Sequence, residues 1–325
     1  MSVKEAVLSA LMKNRDRFLS GEDLSDSMNV SRTAVWKAIK ALREDGHNIK
    51  AVTNKGYMLI DTSTLISETA LREALPAGYK DNSIYIYDTL GSTNIRAKQL
   101  VIDGAPHGTV VIAHRQTEGR GRLGRSFHSP LNGIYLSIIL KPAFDLSKPG
   151  LVTNAAAVAV AEAIEEVCGL NAQIKWVNDI YISGKKVCGI LSEGITDFET
   201  GRIESIVVGI GINTEQVPLE SSLADIAGAV EGDYSRDALA ASVISKTLDF
   251  VDNAENRSFM ETYKEKSLVM GKTITVYKGI YKNDPSEVPS YSARVLDIDD
   301  NGGLMVLYPD GSRETLTSGE ISIRL

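Results

Sequence analysis

The stretch EGRGRLGRSFHSP, residues 118–130, decides which kind of sheet this chain forms. Gly119, Gly121 and Gly124 have the G-x-G-x-x-G spacing of a dinucleotide-binding fingerprint, in which the loop opens a helix whose N-terminus holds a pyrophosphate. Here the loop follows a β-prone run at 108–116, and another β-prone run, GIYLSIIL, comes next. Because no helix follows the glycines, the sequence does not predict a doubly wound fold.

The same loop carries three arginines, Arg120, Arg122 and Arg125. Guanidinium groups bind phosphate or carboxylate bidentately, and glycines let the backbone approach a ligand and move. A mobile cationic loop suits a reaction between two anions. We therefore expect residues 118–128 to be mobile without ligand and to fold over an anionic one.

Around this loop, β-prone runs alternate with helical ones from Ser83 to about residue 270. Three strands are expected in AQIKWVNDIYISGKKVCGILSEG, with turns at Asn178-Asp179 and Gly184-Lys185. The many hairpins predict an α/β domain of the α+β type, in which the sheet is mixed or antiparallel.

Length and composition limit the class of protein. A chain of 325 residues with 43% hydrophobic residues predicts two or three domains. Lys4, Glu5 and Lys13 exclude a signal peptide or membrane span at the start, and no membrane partner is expected. Cys168 and Cys188 have no metal-ligand spacing, which indicates a reducing cytoplasm and no metal centre built by the protein.

The charge is unevenly distributed. Residues 1–64 contain ten Lys/Arg and eight Asp/Glu, a net charge of +2. Since the whole chain has a net charge of −7, residues 65–325 carry a net charge of −9. An acidic chain with a basic N-terminal segment suggests an anionic partner for that segment.

The N-terminal segment predicts a winged helix-turn-helix. Apolar periodicity indicates a helix at residues 3–13, Ser20 begins a second helix, and Ser31 begins a third that runs to about Asp45. A β-hairpin with its tip at residues 53–56 follows as the wing.

The third helix has two different faces. Val35, Ile39 and Leu42 should face the core, whereas the basic and polar face suits a DNA major groove. Two alternatives stay open: such a face can be merely solvated, and Trp36 can be half-buried against the wing. The expected DNA-binding residues are Ser31, Arg32, Thr33, Trp36, Lys37, Lys40, Asn54 and Lys55.

The C-terminal residues 271–325 contain β-prone runs separated by Asn-Gly and Asp-Gly turns, which predict a small antiparallel barrel. Residues 61–66 have the composition of a linker. We therefore expect three domains, at residues 1–63, 64–270 and 271–325.

Four motifs in this order, GRGRLGR, KWVNDIY, KKVCGIL and GIGIN, resemble those of the biotin protein ligase family. With the helix-turn-helix in front, the whole chain resembles the bifunctional members that are also biotin operon repressors. The resemblance implies a central domain like that of class II synthetases and an SH3-like C-terminal barrel, in which Glu320 and Arg324 match the closing motif.

The resemblance also implies the chemistry. Biotin and ATP, with Mg²⁺, give biotinyl-5′-AMP, and a lysine of a biotin carboxyl carrier domain, such as that of acetyl-CoA carboxylase, then receives the biotin. The adenylate is also the corepressor, with which a homodimer binds operator DNA. No Ser/His/Asp or Cys/His set is evident, and none is required, because the nucleophiles belong to the substrates.

The residues that the resemblance places at the site fall into two groups. Lys186, Arg120 and Arg122 are the expected catalytic cations. Phe127 stands where the family commonly has a tryptophan that stacks on adenine, and Lys186, expected in a turn, aligns better than its neighbour Lys185. The expected ligand-binding residues are Ser92, Thr93, Asn94, Gln116, Gly119, Arg120, Gly121, Arg122, Phe127, Asp179, Lys186 and Asn213.

Three other functions compete with the bifunctional one. A biotin-sensing repressor without catalysis is disfavoured because Arg120, Arg122 and Lys186 are all present. A ligase whose helix-turn-helix is only a scaffold is opposed, without being excluded, by the intact basic face. A lipoate ligase would share the general fold, but the GRGRLGR loop favours biotin.

Overall fold

A computed structural model describes residues 2–14, 17–44, 47, 49–52, 55–59, 65–131, 133–141, 149–196, 199, 201–215, 226–277, 288–317 and 320–323. The chain divides into two units, Met1–Lys80 with Gly232–Ser242 and Asp81–Glu231 with Val243–Leu325. The boundaries expected after residues 63 and 270 remain predictions. Asn54 and Arg324 lie outside the described residues.

The first unit begins with three helices and a hairpin: α1 (Val3–Met12), α2 (Gly21–Met28), α3 (Arg32–Glu44), β1 (Ile49–Val52) and β2 (Gly56–Leu59). The serines predicted to begin α2 and α3 do so, because Ser20 Oγ accepts from Asp23 N at 2.9 Å and Ser31 Oγ accepts from Ala34 N at 3.2 Å. These bonds satisfy backbone donors that a helix start otherwise leaves unpaired.

The core of this unit lies where the apolar periodicity predicts it. Val35, Ile39 and Leu42 are at most 2% exposed and pack with Leu11 of α1 and Leu59 of β2. The hairpin pairs antiparallel, with Val52 opposite Gly56, and Leu19 adds a bridge to Tyr57. The same unit contains α4 (Glu68–Ala74).

The second unit contains a seven-stranded sheet in the order β3-β4-β5-β9-β8-β7-β6 among the described residues. The β3 and β4 strands are parallel and every other neighbouring pair is antiparallel, so the predicted mixed sheet is confirmed. The strands are β3 (Ile84–Leu90), β4 (Val110–Gln116), β5 (Ile134–Leu140), β6 (Gln173–Lys175), β7 (Asp179–Ile182), β8 (Lys185–Thr196) and β9 (Ile203–Ile212).

Two predicted turns are displaced by about one residue. Asp179 already belongs to β7 and Lys186 belongs to β8, so the expectation that Lys186 lies in a turn is wrong. The turn before β8 is Ser183-Gly184, where both residues have positive φ angles, 50° and 78°. Glycine adopts this backbone conformation without strain, which places the turn before the lysines.

Among the described residues of 93–265, four helices follow in chain order: α5 (Thr93–Ile102), α6 (Pro149–Cys168), α7 (Arg236–Asp252) and α8 (Phe259–Glu265). Ala97, Leu100 and Val101 of α5 pack on Val111 of β4 and Val207 of β9. Across the described residues, no helix has both the length and the apolarity that a bilayer crossing requires.

The described residues of 273–323 form an antiparallel sheet of five strands, ordered β13-β12-β11-β10-β14. Gly302 and Gly311, each with a positive φ, lie in the Asn-Gly and Asp-Gly turns that the sequence predicts. The predicted fold class, with an N-terminal helix-turn-helix, a central mixed sheet and C-terminal antiparallel strands, is confirmed. The strands are β10 (Thr273–Tyr277), β11 (Ser290–Ile298), β12 (Leu304–Leu307), β13 (Arg313–Leu316) and β14 (Glu320–Ile323).

Candidate active site

A cavity of about 310 Å³ in the second unit collects most of the residues that the sequence singles out. They come from three places: the start of α5, the end of β4 with the arginine loop, and the β7–β8 hairpin. The predicted residues that line it are Ser92, Thr93, Asn94, Gln116, Arg120, Gly121, Arg122, Phe127, Asp179 and Lys186.

A second cavity, of about 460 Å³, adjoins the first. Phe127, Asp179 and Lys186 line both cavities, as do Arg125, Ser126 and Lys175, so these side chains mark where the cavities meet. Asn213, which does not line the first cavity, lines the second. Gly119 lines neither, but it is buried under the loop, where a Cβ would stand 2.3 Å from the carbonyl oxygen of Phe127.

The start of α5 supplies the polar end of the first cavity. Ser92, Thr93 and Asn94 are at most 5% exposed, and the backbone N–H of Thr93 donates to Gln116 Oε1 at 2.8 Å. Ser92 occupies the N-cap position, but its side chain makes no capping bond. The glycine loop has no helix after it, as predicted, yet a helix N-terminus does reach the site from α5, because β3 ends beside β4 in a parallel pair.

The arginine loop folds back on itself as a narrow hairpin. Phe127 N donates to Gly119 O at 2.8 Å, and Gly121 N donates to Arg125 O at 2.7 Å. Arg122 reaches across to the β6–β7 turn, where its Nη1 lies 3.4 Å from Asn178 Oδ1. The loop therefore brings the Arg122 guanidinium group to the β6–β7 side of the cavity.

An ion pair joins β7 and β8. Lys186 Nζ lies 2.7 Å from Asp179 Oδ1, and both side chains are largely buried, at 30% and 21% exposure. Burial and the nearby Asp179 carboxylate raise the pKa of Tyr181 to about 12. Burial also raises the pKa of Tyr263, whose hydroxyl donates to Val177 O at 3.0 Å. Both phenols therefore stay neutral at physiological pH, and Lys186 and the arginines supply the charge.

Several residues that line the first cavity were not predicted. Trp176 and Asn178 lie in the KWVND motif, and Gly209 and Gly211 lie in GIGIN. A Cβ on Gly209 would stand 2.1 Å from Asn94 Oδ1, so the absent side chain makes room for the asparagine. The two glycines lie two residues apart, on one face of β9. This spacing in the sequence could have predicted that this face of the strand lines the cavity.

The predicted nucleic-acid face lies in the first unit. Ser31, Arg32, Thr33, Trp36, Lys37 and Lys40 are all exposed on α3, and Lys55 is exposed in the hairpin. Trp36 is 55% exposed, which disfavours its burial against the wing. Arg32 Nη2 lies 3.5 Å from Glu22 Oε2 of α2, an ion pair that is weak because both side chains are exposed.

Three family models match the chain, one each over the helix-turn-helix, the mixed sheet and the C-terminal strands. An HTH domain matches residues 3–58, the biotin/lipoate A/B protein ligase family matches residues 87–213, and the biotin protein ligase C-terminal domain matches residues 287–324. The two cavities lie within the unit that contains the second and third matches.

The bifunctional ligase/repressor BirA of Bacillus subtilis (strain 168) is 34% identical over 316 residues, which are 96% of this chain and 96% of the relative. The chain belongs to the bifunctional ligase/repressor family. A second member, BirA of Escherichia coli (strain K12), is 28% identical over 98% of this chain and 96% of its own length. The family resemblance seen in the sequence is thereby confirmed.

A solved structure supports the same assignment. The biotin protein ligase from Aquifex aeolicus in complex with biotin and ATP aligns with a TM-score of 0.61 and 26% identity, over 74% of this chain and 98% of that chain. The family and this neighbour agree that the chain has the ligase fold.

Proposed function

We propose that this chain is a biotin protein ligase that also represses transcription. It condenses biotin with ATP to biotinyl-5′-AMP and pyrophosphate, and it then transfers biotin to a lysine of a biotin carboxyl carrier domain. The observation that carries the proposal is the pair of cavities that meet at Phe127, Asp179 and Lys186. Two adjoining sites with a shared cation suit the joining of a carboxylic acid to a nucleotide.

Biotin would occupy the first cavity. Its polar ring system would contact Thr93 and Gln116, and its carboxylate would point to Lys186, where the two cavities meet. The nucleotide would occupy the second cavity, with adenine against the Phe127 ring and with Asn213 beside it. Phenylalanine offers an apolar face for stacking but lacks the indole N–H of a tryptophan.

In the first step a carboxylate oxygen of biotin attacks the α-phosphorus, and the bond from that phosphorus to the oxygen that bridges it to the β-phosphorus breaks to release pyrophosphate. Both reactants are anionic, and negative charge collects on the phosphoryl oxygens. Arg120, Arg122 and Lys186 would neutralise this charge, and the two cavities would hold the reacting atoms together.

In the second step the neutral amine of the carrier lysine attacks the acyl carbon of the adenylate. An amide bond forms, AMP leaves with the bonding electrons, and the nitrogen loses its proton. The protein contributes no nucleophile of its own, which agrees with the inert thiol near the site: burial raises the pKa of Cys188.

The residues fit a magnesium ion that arrives with the nucleotide. No group of three or more His, Cys, Asp or Glu that would hold a metal occurs in the part of the chain that the structure describes. Mg²⁺ usually needs only one or two carboxylates beside the substrate phosphates, and the Asp179 carboxylate, whose buried Oδ1 lies 2.7 Å from Lys186 Nζ, would supply one. Bound there, the ion would offset charge on the departing pyrophosphate.

The winged helix-turn-helix would bind operator DNA through α3 and the hairpin. A palindromic operator needs two recognition helices, so the DNA-bound form would be a homodimer, with biotinyl-5′-AMP as corepressor. We place the chain in the cytoplasm, where its nucleotide, carrier and operator are found. The competing function is a ligase with a scaffold helix-turn-helix, which the weak, exposed ion pair of Arg32 with Glu22 does not favour.

One experiment with two arms tests the proposal. The protein is incubated with biotin, ATP, Mg²⁺ and a purified carrier domain, and the carrier is probed with streptavidin. Labelling that requires ATP supports the ligase. Operator binding is then compared with and without biotin and ATP, and absence of salt-dependent DNA binding in both would leave the scaffold function.

A further inference from the structure

Behind the polar end of the first cavity, Glu193 of β8 holds the side chain of Asn94. Asn94 Nδ2 donates to Glu193 Oε2 at 2.8 Å and to Leu191 O at 3.2 Å. The other carboxylate oxygen, Oε1, accepts from Lys98 Nζ at 2.5 Å, so α5 provides both the asparagine and the cation. Glu193 does not line the cavity and would touch no ligand there.

This carboxylate, with the more distant Leu191 carbonyl oxygen, fixes the direction of a chain of hydrogen bonds. A carboxylate paired with an ammonium group only accepts, so the asparagine must turn its Nδ2 toward Glu193 and its Oδ1 toward Ser137. Ser137 Oγ lies 2.6 Å from Asn94 Oδ1. An amide oxygen cannot donate, so the single hydroxyl proton of Ser137 is used in that bond.

The direction then passes to Thr93. Ser137 Oγ lies 2.8 Å from Thr93 Oγ1, and because the serine proton is already used, the threonine hydroxyl donates in this contact. Ser137 is fully buried, so no solvent can replace these partners. Thr93 Oγ1 also lies within donating distance of Gln116 Oε1, at 3.1 Å, but the two hydroxyls have only two protons for three oxygen–oxygen contacts. The longest contact is then the one left without a proton, so Thr93 Oγ1 keeps acceptor lone pairs beside Gln116 Oε1, which accepts from the Thr93 backbone N–H.

We propose that Glu193, held by Lys98, is a positioning residue that orders the Asn94–Ser137–Thr93 chain so that Thr93 Oγ1 meets the ligand as an acceptor. The inference rests on the proposed function and adds the origin of its ligand preference. Two acceptors, Thr93 Oγ1 and Gln116 Oε1, face each other without a proton between them, and a ligand N–H satisfies them. A cyclic urea brings such N–H groups, whereas a dithiolane ring brings none.

Glu193→Gln tests this, because glutamine can donate to Asn94 Oδ1 and let the asparagine amide turn over. Initial rates of pyrophosphate release are measured while biotin and ATP are varied separately. The KM for biotin should rise by about threefold to tenfold, the effect of losing one hydrogen bond between neutral groups. The KM for ATP and the kcat at saturating biotin should change by less than about twofold, or ~0.4 kcal/mol.

Ser137→Ala interrupts the same chain by removing one atom, and it should raise the KM for biotin in the same way. The double variant should be no worse than the more affected single variant, because the chain is already broken; a side chain that only supports the fold would give additive losses. Glu162→Gln is the matched control, since Glu162 pairs with Lys246 outside both cavities.

The outcomes separate the inference from the proposed function. Wild-type protein that releases no pyrophosphate from biotin and ATP would overturn the function itself. Active wild type with an unchanged biotin KM in Glu193→Gln would overturn the inference alone. If Glu193→Gln does not fold, the inference is tested with Ser137→Ala alone. An unchanged KM for biotin in that variant, or equal rises in the KM values for biotin and ATP, would overturn the inference.

Discussion

The ring of Phe127 lies so close to the backbone of Gly211 that a Cβ on this glycine would stand 2.5 Å from the ring. Gly189, paired with Gly211 on the neighbouring strand, would place its Cβ 3.0 Å from the same ring. The aromatic ring at the meeting point of the two cavities therefore rests on a pair of glycines. Its position depends on the absence of two side chains.

Gly211→Ala should move the Phe127 ring and disturb both cavities. Misplacing reacting groups by about 1 Å costs up to ~10²-fold in rate, and we expect adenylation to fall by about that factor. Pyrophosphate release measures it. Gly150→Ala is the control, because Gly150 is exposed near the start of α6 with nothing within 4 Å of an added Cβ. Equal rates for the two variants would contradict the role given to Gly211.

Lys186→Ala should remove a cation from the place where phosphoryl charge develops. Loss of one such group costs ~10²–10³ in kcat. The rate of pyrophosphate release at saturating biotin and ATP measures the effect. Lys246→Ala, which breaks an ion pair with Glu162 outside both cavities, should leave the rate nearly unchanged. A loss below about tenfold for Lys186→Ala, or ~1.4 kcal/mol, would remove Lys186 from the catalytic set.

The sequence predicts what depends on local pattern. The core face of α3, the serine caps and the strands around GRGRLGR follow from periodicity and from residue types at fixed spacing. The sequence predicts a turn at Gly184-Lys185, one residue after its place in the structure at Ser183-Gly184. A glycine is typical of several turn positions, so its presence predicts that a turn occurs but not which position the glycine takes.

The sequence does not predict the contacts that shape the first cavity from behind. Ser137 lies in a strand whose residues are all buried, so its sequence context is that of a core position. Asn94 and Glu193 are 99 residues apart and meet only because α5 lies against the sheet. Such pairs depend on the order of the strands in the sheet, and the local periodicity of hydrophobic residues does not predict this order.

Lys40→Ala should weaken DNA binding by a similar factor on all sequences. If Lys40 meets a phosphate, the slope of log K against log salt should fall by about one unit. Binding to operator and to scrambled duplex at several salt concentrations measures both effects. Lys80→Ala removes the same charge away from α3 and is the control. In contrast, Arg32→Ala or Thr33→Ala should relax the preference for operator, and an unchanged preference would show that neither reads a base.

Biotinyl-5′-AMP should favour dimerisation. Its phosphate neutralises the arginines of residues 118–128, so the loop should fold over it, and if this loop lies near the dimer surface, adenylate binding and dimerisation must strengthen each other by the same factor. Sedimentation with and without a non-hydrolysable adenylate analogue measures the dimer constant. Limited proteolysis after Arg120, Arg122 and Arg125 follows the loop. A protected loop with an unchanged dimer constant would break this coupling.

In the proposed reaction a biotin carboxylate oxygen becomes bonded to the α-phosphorus of ATP before biotin reaches the carrier. Biotin labelled with ¹⁸O in both carboxylate oxygens is incubated with ATP, Mg²⁺, the protein and a carrier domain, and AMP and carrier are analysed by mass spectrometry. We expect one ¹⁸O in each AMP released, one ¹⁸O in the biotinyl amide, and modification of a single carrier lysine. Biotinylated carrier with unlabelled AMP, or no biotinylated carrier at all, would contradict it.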